Sequence, residues 1–305
     1  MKPAELGVVI PAFNASSTIR ETVSSAFRGG ATRVLVVDDG STDDTSIEAS
    51  AAGADVIRQP NAGAAAARRR GAQEIDTEWT VLLDADDALI EEGVAHSVSI
   101  LADQPFAVAA AGRVRMRFAD GTTRWSTPWE AIDTARLLRV GHSPCPPAAV
   151  TWRTTALRVA LRSEPPGLWP AFAEDYELLI RASLIGEIIP HHVHCAEYQA
   201  FGGKSDRHAL TAAHSAIEIA EWYSALTGEY TPRRPRRGAN AQVALRRATS
   251  RDRSPKSIAP ALLYLGKAAV CDPLFVLRWT GQRFSGGPLL RSIGQSRQRS
   301  RSTQP

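Results

Sequence analysis

The feature that most constrains the fold is a series of short, largely apolar runs in the first third of the chain. Three of them are Leu6–Ile10, Val34–Val37 and Trp79–Leu83. Each run is followed by turn-forming or acidic residues, and helical patterns lie between the runs. This alternation is typical of βαβ units, whose strands are buried on both faces of a parallel sheet. The sequence therefore predicts an α/β fold with a mostly parallel central sheet flanked by helices.

Apolar periodicity predicts further elements along the chain. Helices are expected over residues 16–27, 43–52, 63–75, 91–102, 173–185 and 208–226. Additional strands are expected over residues 55–58, 107–118, 122–125, 148–152 and 187–199.

Charge divides the chain of 305 residues into two unequal parts. Residues 1–231 contain 20 Lys and Arg against 30 Asp and Glu, whereas residues 232–305 contain 16 against 2. We predict one globular α/β domain over residues 1–227, a basic linker or arm over 228–257, and an apolar then basic extension over 258–305.

Cysteine usage and the amino terminus bear on the compartment. The three cysteines, Cys145, Cys195 and Cys271, are far apart and lack the paired spacing of zinc sites, so neither a disulfide framework nor structural zinc is indicated. The amino terminus leads directly into the first strand without the features of a signal peptide. Both observations predict a cytoplasmic protein.

Acidic residues follow two of the apolar strands. Asp38 and Asp39 follow one strand, and Asp84 and Asp86 follow another. Ligands of open parallel sheets bind beyond the carboxyl ends of the strands, so these carboxylates are expected at one edge. A structural alternative is open for both segments, because Asp, Gly, Ser and Thr also favour turns and helix caps.

The Asp-x-Asp spacing of Asp84 and Asp86 suits a divalent cation. Mg²⁺ and Mn²⁺ prefer oxygen ligands, commonly one or two carboxylates together with substrate phosphate and water. Such a cation stabilises the charge that develops when a bond from a sugar to a diphosphate breaks. We predict Asp86 as the ligand of Mg²⁺ or Mn²⁺, with Asp84 nearer the ribose or a metal-bound water.

Five sequence segments, taken in their order along the chain, indicate a more specific resemblance. They are Val8–Asn14, Val36–Asp43, Asn61–Gly63 with Ala67, Arg68 and Gly71, Leu83–Asp87, and Glu174–Leu178 with Arg181. In this order they resemble the family 2 glycosyltransferases, over roughly residues 6 to 205. The resemblance implies a GT-A fold for residues 1–227.

The resemblance also implies a site for a nucleotide sugar. Pro11, Ala12 and Phe13 would line the nucleotide pocket, Asp39 would hydrogen-bond the base, and Asp84 and Asp86 would form the metal-binding motif. Further residues assigned to the nucleotide-sugar site are Asn14, Asn61, Gly63, Arg68 and Ala85. For Arg68 two readings are open, a contact with the diphosphate or a place on the basic face of its helix.

The resemblance implies that Asp175 is the catalytic base. A sugar hydroxyl is a poor nucleophile, and a positioned carboxylate can take its proton as the new bond forms. One displacement of this kind inverts the anomeric configuration. The structural alternative for Glu174 and Asp175 is an acidic helix N-terminus that complements the helix dipole.

The function implied is transfer of a sugar from a UDP-, GDP- or TDP-sugar to the hydroxyl of a glycan or lipid-linked acceptor, in the synthesis of cell-surface glycans or glycolipids. A nucleotidyltransferase is disfavoured because a Gly-rich, basic phosphate loop is missing. Glycoside hydrolysis is disfavoured as well, because it needs neither a diphosphate nor a metal. The alternative from another class is a non-catalytic nucleotide-sugar sensor or membrane-recruited scaffold.

Two segments depart from the family pattern. Arg69 stands where the family usually has Asn, and Tyr198–Phe201 stands where the family often has a Tyr-Arg-x-His-type segment that helps the diphosphate site. The basic tail lacks a recognised nucleic-acid-reading motif, so no nucleic-acid partner is expected. Its Lys and Arg clusters beside apolar residues suit peripheral attachment to an anionic inner membrane face, and a disordered solubilising tail is the alternative.

Overall fold

A central sheet organises the part of the chain that the structure, a computed structural model, describes: residues 5–118, 121–126, 129–162, 167–199 and 208–229. The strands are β1 Leu6–Ala12, β2 Arg33–Asp38, β3 Asp55–Arg58, β4 Trp79–Leu82, β5 Ala88–Leu89, β6 Ala107–Arg117, β7 Thr123–Trp125, β8 Val150–Arg153 and β9 Glu187–Gln199. The helices are α1 Ile19–Arg28, α2 Thr45–Ala51, α3 Ala64–Glu74, α4 Glu91–Asp103, α5 Thr134–Val140, α6 Thr154–Arg162, α7 Glu174–Ser183 and α8 Ala209–Thr227.

The sheet has a parallel half and a mixed half. Its order is β3-β2-β1-β4-β8-β6-β9-β5, and β7 pairs with β6 outside this path. Strands β3, β2, β1 and β4 are parallel, whereas β8 is antiparallel to both of its neighbours, β4 and β6. Strand β9 is parallel to β6. The parallel sheet expected from the apolar runs is therefore present, and the second half of the chain extends it with antiparallel strands.

This topology gives most strands one direction. Because β8 is antiparallel to β4 and to β6, strands β4 and β6 run the same way, and β1, β2 and β9 run with them. Their carboxyl ends lie at one edge of the sheet. Loops that follow these strands can therefore combine their side chains in one site.

Two apolar cores cover the faces of the sheet. Successive side chains of a strand point to opposite faces, and β1 shows this alternation: Val8 and Ile10 belong to one core and Val9 to the other. Every residue of β1 is buried. The apolar runs in the sequence thus correspond to strands covered on both faces, as in other parallel sheets.

Most elements predicted from periodicity are confirmed within one to three residues at each end. Sequence patterns missed α5, α6 and the two-residue strand β5. Helix α6 begins at Thr154, directly after β8, and contains β-branched residues that favour strands as much as helices. Its buried residues Leu157, Ala160 and Leu161 nevertheless follow helical spacing.

The described chain ends shortly after α8. This helix ends at Thr227, and Gly228 follows with a φ of 74° in the left-handed conformation that favours glycine at helix ends. The predicted arm beyond residue 229 and the extension over 258–305 lie outside the described residues. None of the described helices is long and apolar enough to cross a membrane.

The contact between α4 and β9 requires glycine at position 93. A Cβ at Gly93 would overlap the backbone carbonyl group of His194, which cannot rotate away as a side chain could. We expect Gly93→Ala to lower the free energy of unfolding by about 1–3 kcal/mol, the usual cost of overpacking. Denaturant unfolding would measure the change, with Ser99→Ala on the exposed side of α4 as the control. Equal stability of the two variants would contradict this close packing.

Candidate active site

Two elements bring carboxylates to the carboxyl edge of the sheet, and a third contributes an arginine. Asp84 and Asp86 lie in the loop that follows β4, and Asp175 is the second residue of α7. Arg68, on α3, joins them. Residues that are distant in the sequence therefore meet where the topology places the loops.

The guanidinium group of Arg68 is the centre of this cluster. One of its terminal nitrogens donates to Asp84 and the other donates to Glu174, the residue before Asp175. Burial alone would lower the pKa of Arg68, but Asp84, Glu174 and Asp175 raise it. Arg68 is buried, with 8% of its surface exposed, so it does not belong to an exposed basic face of α3.

Asp175 has the protonation behaviour of a base that titrates near neutral pH. Burial and the adjacent Glu174 carboxylate raise the pKa of Asp175 to about 6, although Arg68 acts to lower it. Above this pH the carboxylate is ionised and can accept a proton. General bases are most effective when their pKa lies near the working pH.

The loop after β4 holds two further carboxyl groups in different surroundings. Asp86 is accessible to solvent, and partial burial together with Asp84 raises its pKa. Asp87 is 4% exposed, and burial with the neighbouring Asp84 raises its pKa to about 9. Its Oδ1 accepts from the backbone N–H of Gln199 at 3.1 Å, whereas Oδ2 has no partner among the described residues. At neutral pH Asp87 is therefore protonated, and the negative charge of Asp84 is one cause of the raised pKa values of both neighbours.

This donor set fits a divalent cation that is held mainly by substrate. The described residues contain no group of three or more His, Cys, Asp or Glu side chains arranged for a metal ion. Mg²⁺, however, is usually held by one or two carboxylates plus phosphate oxygens and water. The accessible carboxylate of Asp86 and the carboxylate of Asp84 are compatible with that arrangement.

Asp39 fixes the loop that leads into α3. Its Oδ1 accepts from Nε2 of Gln59 and from the backbone N–H of Ala62, and its Oδ2 accepts from the backbone N–H of Gly63, all at 2.8 Å. Gly63 has a φ of 89°, a conformation that glycine adopts without strain. In this structure the carboxylate predicted to bind the base thus holds the loop that contains Asn61 and Gly63.

The loops after β1 and β2 are joined by similar bonds. Asn14, with a φ of 50°, accepts from the backbone N–H of Thr42 at 2.9 Å and donates its own N–H to Ser41 at 2.9 Å. Asp38 is fully buried and accepts from the backbone N–H of Ser41 and from the hydroxyl of Ser46. The turn-forming reading of Asp-Asp-Gly-Ser-Thr is therefore correct for Asp38.

The other residues assigned to the nucleotide site lie along the same edge. Pro11 and Ala12 are buried at the end of β1, where they pair with β2, whereas Phe13 is exposed. Asn61 is exposed, and the carbonyl of Ala85 accepts from the hydroxyl of Thr22 at 2.9 Å. Phe13, Asn14 and Asn61 are therefore exposed enough to contact a ligand, whereas Pro11 and Ala12 are buried in the strand that precedes them.

A cavity opens beside the carboxylate cluster. Its walls are mostly apolar and come from β4, β8, α3, α6 and α7. Polar residues line it as well: Arg68, Arg69, Ser143, Glu174 and Asp175. An apolar cavity with a few convergent polar groups and a carboxyl of shifted pKa is the usual form of a substrate site.

Sequence reasoning did not find three residues of this region. Trp169 lines the cavity, and Glu177 holds it by accepting from the backbone N–H groups of Leu168 and Trp169 at 2.7 and 2.6 Å. The pKa of Tyr198 is raised by burial and by Asp87, Asp84, Asp86 and Asp175, so its hydroxyl lies near all four carboxylates. The Glu-x-x-x-Arg spacing of Glu177 and Arg181 was the only available signal, and it also fits an ordinary helix.

Comparisons with known proteins bear on the family and the fold of the chain. Residues 7–156 match the family model described as Glycosyl transferase family 2. The succinoglycan biosynthesis protein ExoU of Rhizobium meliloti (strain 1021) is 39% identical over 92 residues, which cover 28% of this chain and 27% of that protein. The chain spans 27 to 40% of the length of the curated relatives that it matches.

Solved structures show the same fold at low identity. The structure of S. aureus TarS 1-349 in complex with UDP-GlcNAc has a TM-score of 0.56 and 15% identity, covering 89% of this chain and 82% of that one. The mannosyltransferase PcManGT from Pyrobaculum calidifontis, in complex with GDP-Man and Mn²⁺, has a TM-score of 0.54 and 17% identity, covering 96% and 84%. The GT-A fold expected from the sequence is confirmed.

The bonds of Asp39 predict a role that does not depend on a ligand. In Asp39→Asn an amide N–H group would face one of the backbone N–H groups that the carboxylate accepts. We expect the free energy of unfolding without nucleotide to fall by about 2 kcal/mol, the range for a hydrogen bond to a charged group. Denaturant titration would measure this, with the exposed Asp44→Asn as the control. Unchanged stability combined with lost nucleotide affinity would instead make Asp39 a ligand contact only.

Proposed function

Because residues 7–156 match the model of glycosyl transferase family 2, we propose that the protein transfers a sugar from a nucleoside diphosphate sugar to an acceptor hydroxyl with inversion at the anomeric carbon. One observation carries the proposal. Arg68 joins Asp84, in the loop after β4, to Glu174 at the start of α7, and so brings the proposed metal-binding loop beside Asp175.

Asp175 acts as the base in this proposal. Its carboxylate takes the proton of the acceptor hydroxyl while that oxygen forms a bond to the anomeric carbon. The bond from the anomeric carbon to the diphosphate oxygen breaks in the same step, and the nucleoside diphosphate leaves with the bonding electrons. Attack from the face opposite the leaving group inverts the anomeric configuration.

Asp86 and Asp84 would hold a Mg²⁺ or Mn²⁺ ion in the proposed site. When bound, such a cation neutralises negative charge on the diphosphate oxygens. The two carboxylates orient the loop after β4 toward the substrate phosphates, and Arg68 keeps Asp84 in place. The negative charge of Asp84, which raises the pKa values of Asp86 and Asp87, supports this assignment, because a cation bound there would offset the repulsion.

The nucleotide is proposed to lie across the loops after β1, β2 and β3. Phe13 and Asn14 are exposed there, and Asp39 holds the loop that contains Asn61 through the backbone N–H groups of Ala62 and Gly63. The solved relatives of similar fold bind UDP-GlcNAc and GDP-Man. We infer a UDP-, GDP- or TDP-sugar as the donor of this protein.

The acceptor and the place of action are proposed from the sequence. ExoU is a succinoglycan biosynthesis protein, which supports a glycan or lipid-linked acceptor and a role in cell-surface polysaccharide synthesis. The basic residues beyond residue 231 favour a cytoplasmic protein that attaches peripherally to the inner membrane face.

The assignment of Asp175 makes a combined mutational and pH prediction. Asp175→Asn should lower turnover by about 100-fold or more, because an amide cannot accept the proton, while nucleotide affinity is retained. In the wild type the rate should fall as the pH is lowered through about 6, since protonation removes the base. Release of nucleoside diphosphate from UDP-, GDP- and TDP-sugars would measure both. A variant with full turnover would refute the assignment, and binding without turnover in the wild type would favour a sensor.

The assignment of Asp86 predicts metal-dependent binding of one nucleotide class. Calorimetry with UDP, GDP and TDP, each with and without Mn²⁺, should show one nucleotide that binds more tightly with the metal. Asp86→Ala should remove most of this gain, because the cation loses its accessible carboxylate, whereas the remote, exposed Asp103→Ala should keep it. Binding that is independent of both Mn²⁺ and Asp86 would remove the metal from the proposal.

A further inference from the structure

Arg69 is a charged group without a charged partner. It follows Arg68 on α3, yet none of the described carboxylates forms an ion pair with it. One terminal nitrogen, Nη1, is buried and has no hydrogen-bond partner in the described part of the chain. A guanidinium group stays charged at all accessible pH values, and leaving a buried N–H unpaired is unfavourable.

The side chain of Arg69 belongs to the wall of the substrate cavity. Asp175, Glu174, Ser143 and Trp169 line the same cavity. A group bound to Arg69 would therefore lie within the space from which a substrate reaches the proposed base.

Trp169 positions this guanidinium group. The guanidinium carbon of Arg69 lies 5.4 Å from the centroid of the Trp169 ring, and Arg181 lies over the same ring at 5.3 Å. The backbone N–H of Trp169 is held by Glu177, whose carboxylate also accepts from the Tyr223 hydroxyl at 2.9 Å. Stacking on a fixed indole leaves the edge of a guanidinium group, with its N–H donors, available to a ligand.

The three arginines around this cavity differ in how far their donors are used. Arg68 donates to Asp84 and Glu174. Arg181 donates to the carbonyl of Ala160 at 2.7 Å and to the Tyr223 hydroxyl at 2.8 Å. These two are built into the protein, whereas Arg69 combines a charge, an unused buried N–H and a place on the cavity wall.

We propose that Arg69 binds a carboxylate or phosphate group of the substrate that reaches Asp175. A guanidinium group donates two parallel N–H bonds to either anion, and such charge-assisted pairs are stronger than neutral hydrogen bonds. The inference rests on the proposed sugar transfer and adds a substrate class to it: one of the two substrates presents an oxyanion inside the cavity.

Two sources could supply this anion, the diphosphate of the donor or an acidic group on the acceptor sugar. Calorimetry separates them with two sets of probes. UDP, GDP and TDP with Mn²⁺ report on the donor. Inorganic phosphate and glucuronate, with glucose as the uncharged counterpart, report on the acceptor when they are added to the nucleotide-loaded protein.

The variants are Arg69→Gln, Arg69→Lys and, as the matched control, Arg70→Gln on the exposed side of α3. We expect Arg69→Gln to weaken one anionic probe about tenfold or more, the loss typical of a bond to a charged group, and Arg70→Gln to bind as the wild type. Arg69→Lys keeps the charge without the planar fork, so an intermediate loss is expected. If Arg69→Gln binds a nucleotide more weakly, the anion is the diphosphate of the donor. If it binds phosphate or glucuronate more weakly and the nucleotides with unchanged affinity, the anion belongs to the acceptor.

Two results would overturn the proposal: wild-type affinity for every anionic probe in Arg69→Gln, or an equal loss in Arg70→Gln. Thermal unfolding without ligand tests whether each variant is folded. If Arg69→Gln does not fold, unchanged affinities in Arg69→Lys would also overturn the proposal. Failure of the proposed function is distinct, because the wild type would then bind none of the nucleotides.

Discussion

The contact on which the site depends is the pair of bonds from Arg68 to Asp84 and Glu174. Several carboxylates near one another in a partly buried cleft repel, and without a cation they would either separate or bind protons. One guanidinium group offsets part of this repulsion by joining the loop after β4 to the start of α7. Arg68 also lowers the pKa of Asp175, whereas burial and Glu174 raise it, and the net result is a pKa of about 6. Site geometry and proton affinity therefore depend on one side chain.

The sequence allowed the parallel half of the fold to be predicted because β1, β2 and β4 are apolar and buried on both faces. That pattern leaves few alternatives. The second half was harder to predict, since its strands are joined across long sequence separations and β8 reverses direction between two strands that run alike. No local pattern specifies such pairing.

The sequence allowed the acidic residues near the site to be predicted, but it did not show which groups those residues contact. Asp84, Asp86 and Asp175 were identified by their motifs, and they lie at one edge of the sheet. Asp38 and Asp39 share the same residue type and a similar position, yet Asp38 accepts a hydrogen bond from its own loop and Asp39 accepts hydrogen bonds from the loop that leads into α3. Spacing cannot distinguish a carboxylate that faces a ligand from one that faces a backbone N–H. Trp169 was missed because its position is set by Glu177 through backbone bonds, which leave no mark in the sequence.

The hydrogen bonds of the Tyr223 hydroxyl affect the order in which parts of this protein can form on the ribosome. It donates to Glu177 and accepts from Arg181, and these two residues hold Trp169 against the cavity. Tyr223 belongs to α8, the last described helix, and is translated well after the strands and loops that form the nucleotide side. Chains fold from the amino terminus as they emerge. The nascent protein can thus form the loops after β1, β2 and β4 early, but the cavity wall beside Asp175 is completed only when α8 has left the exit tunnel.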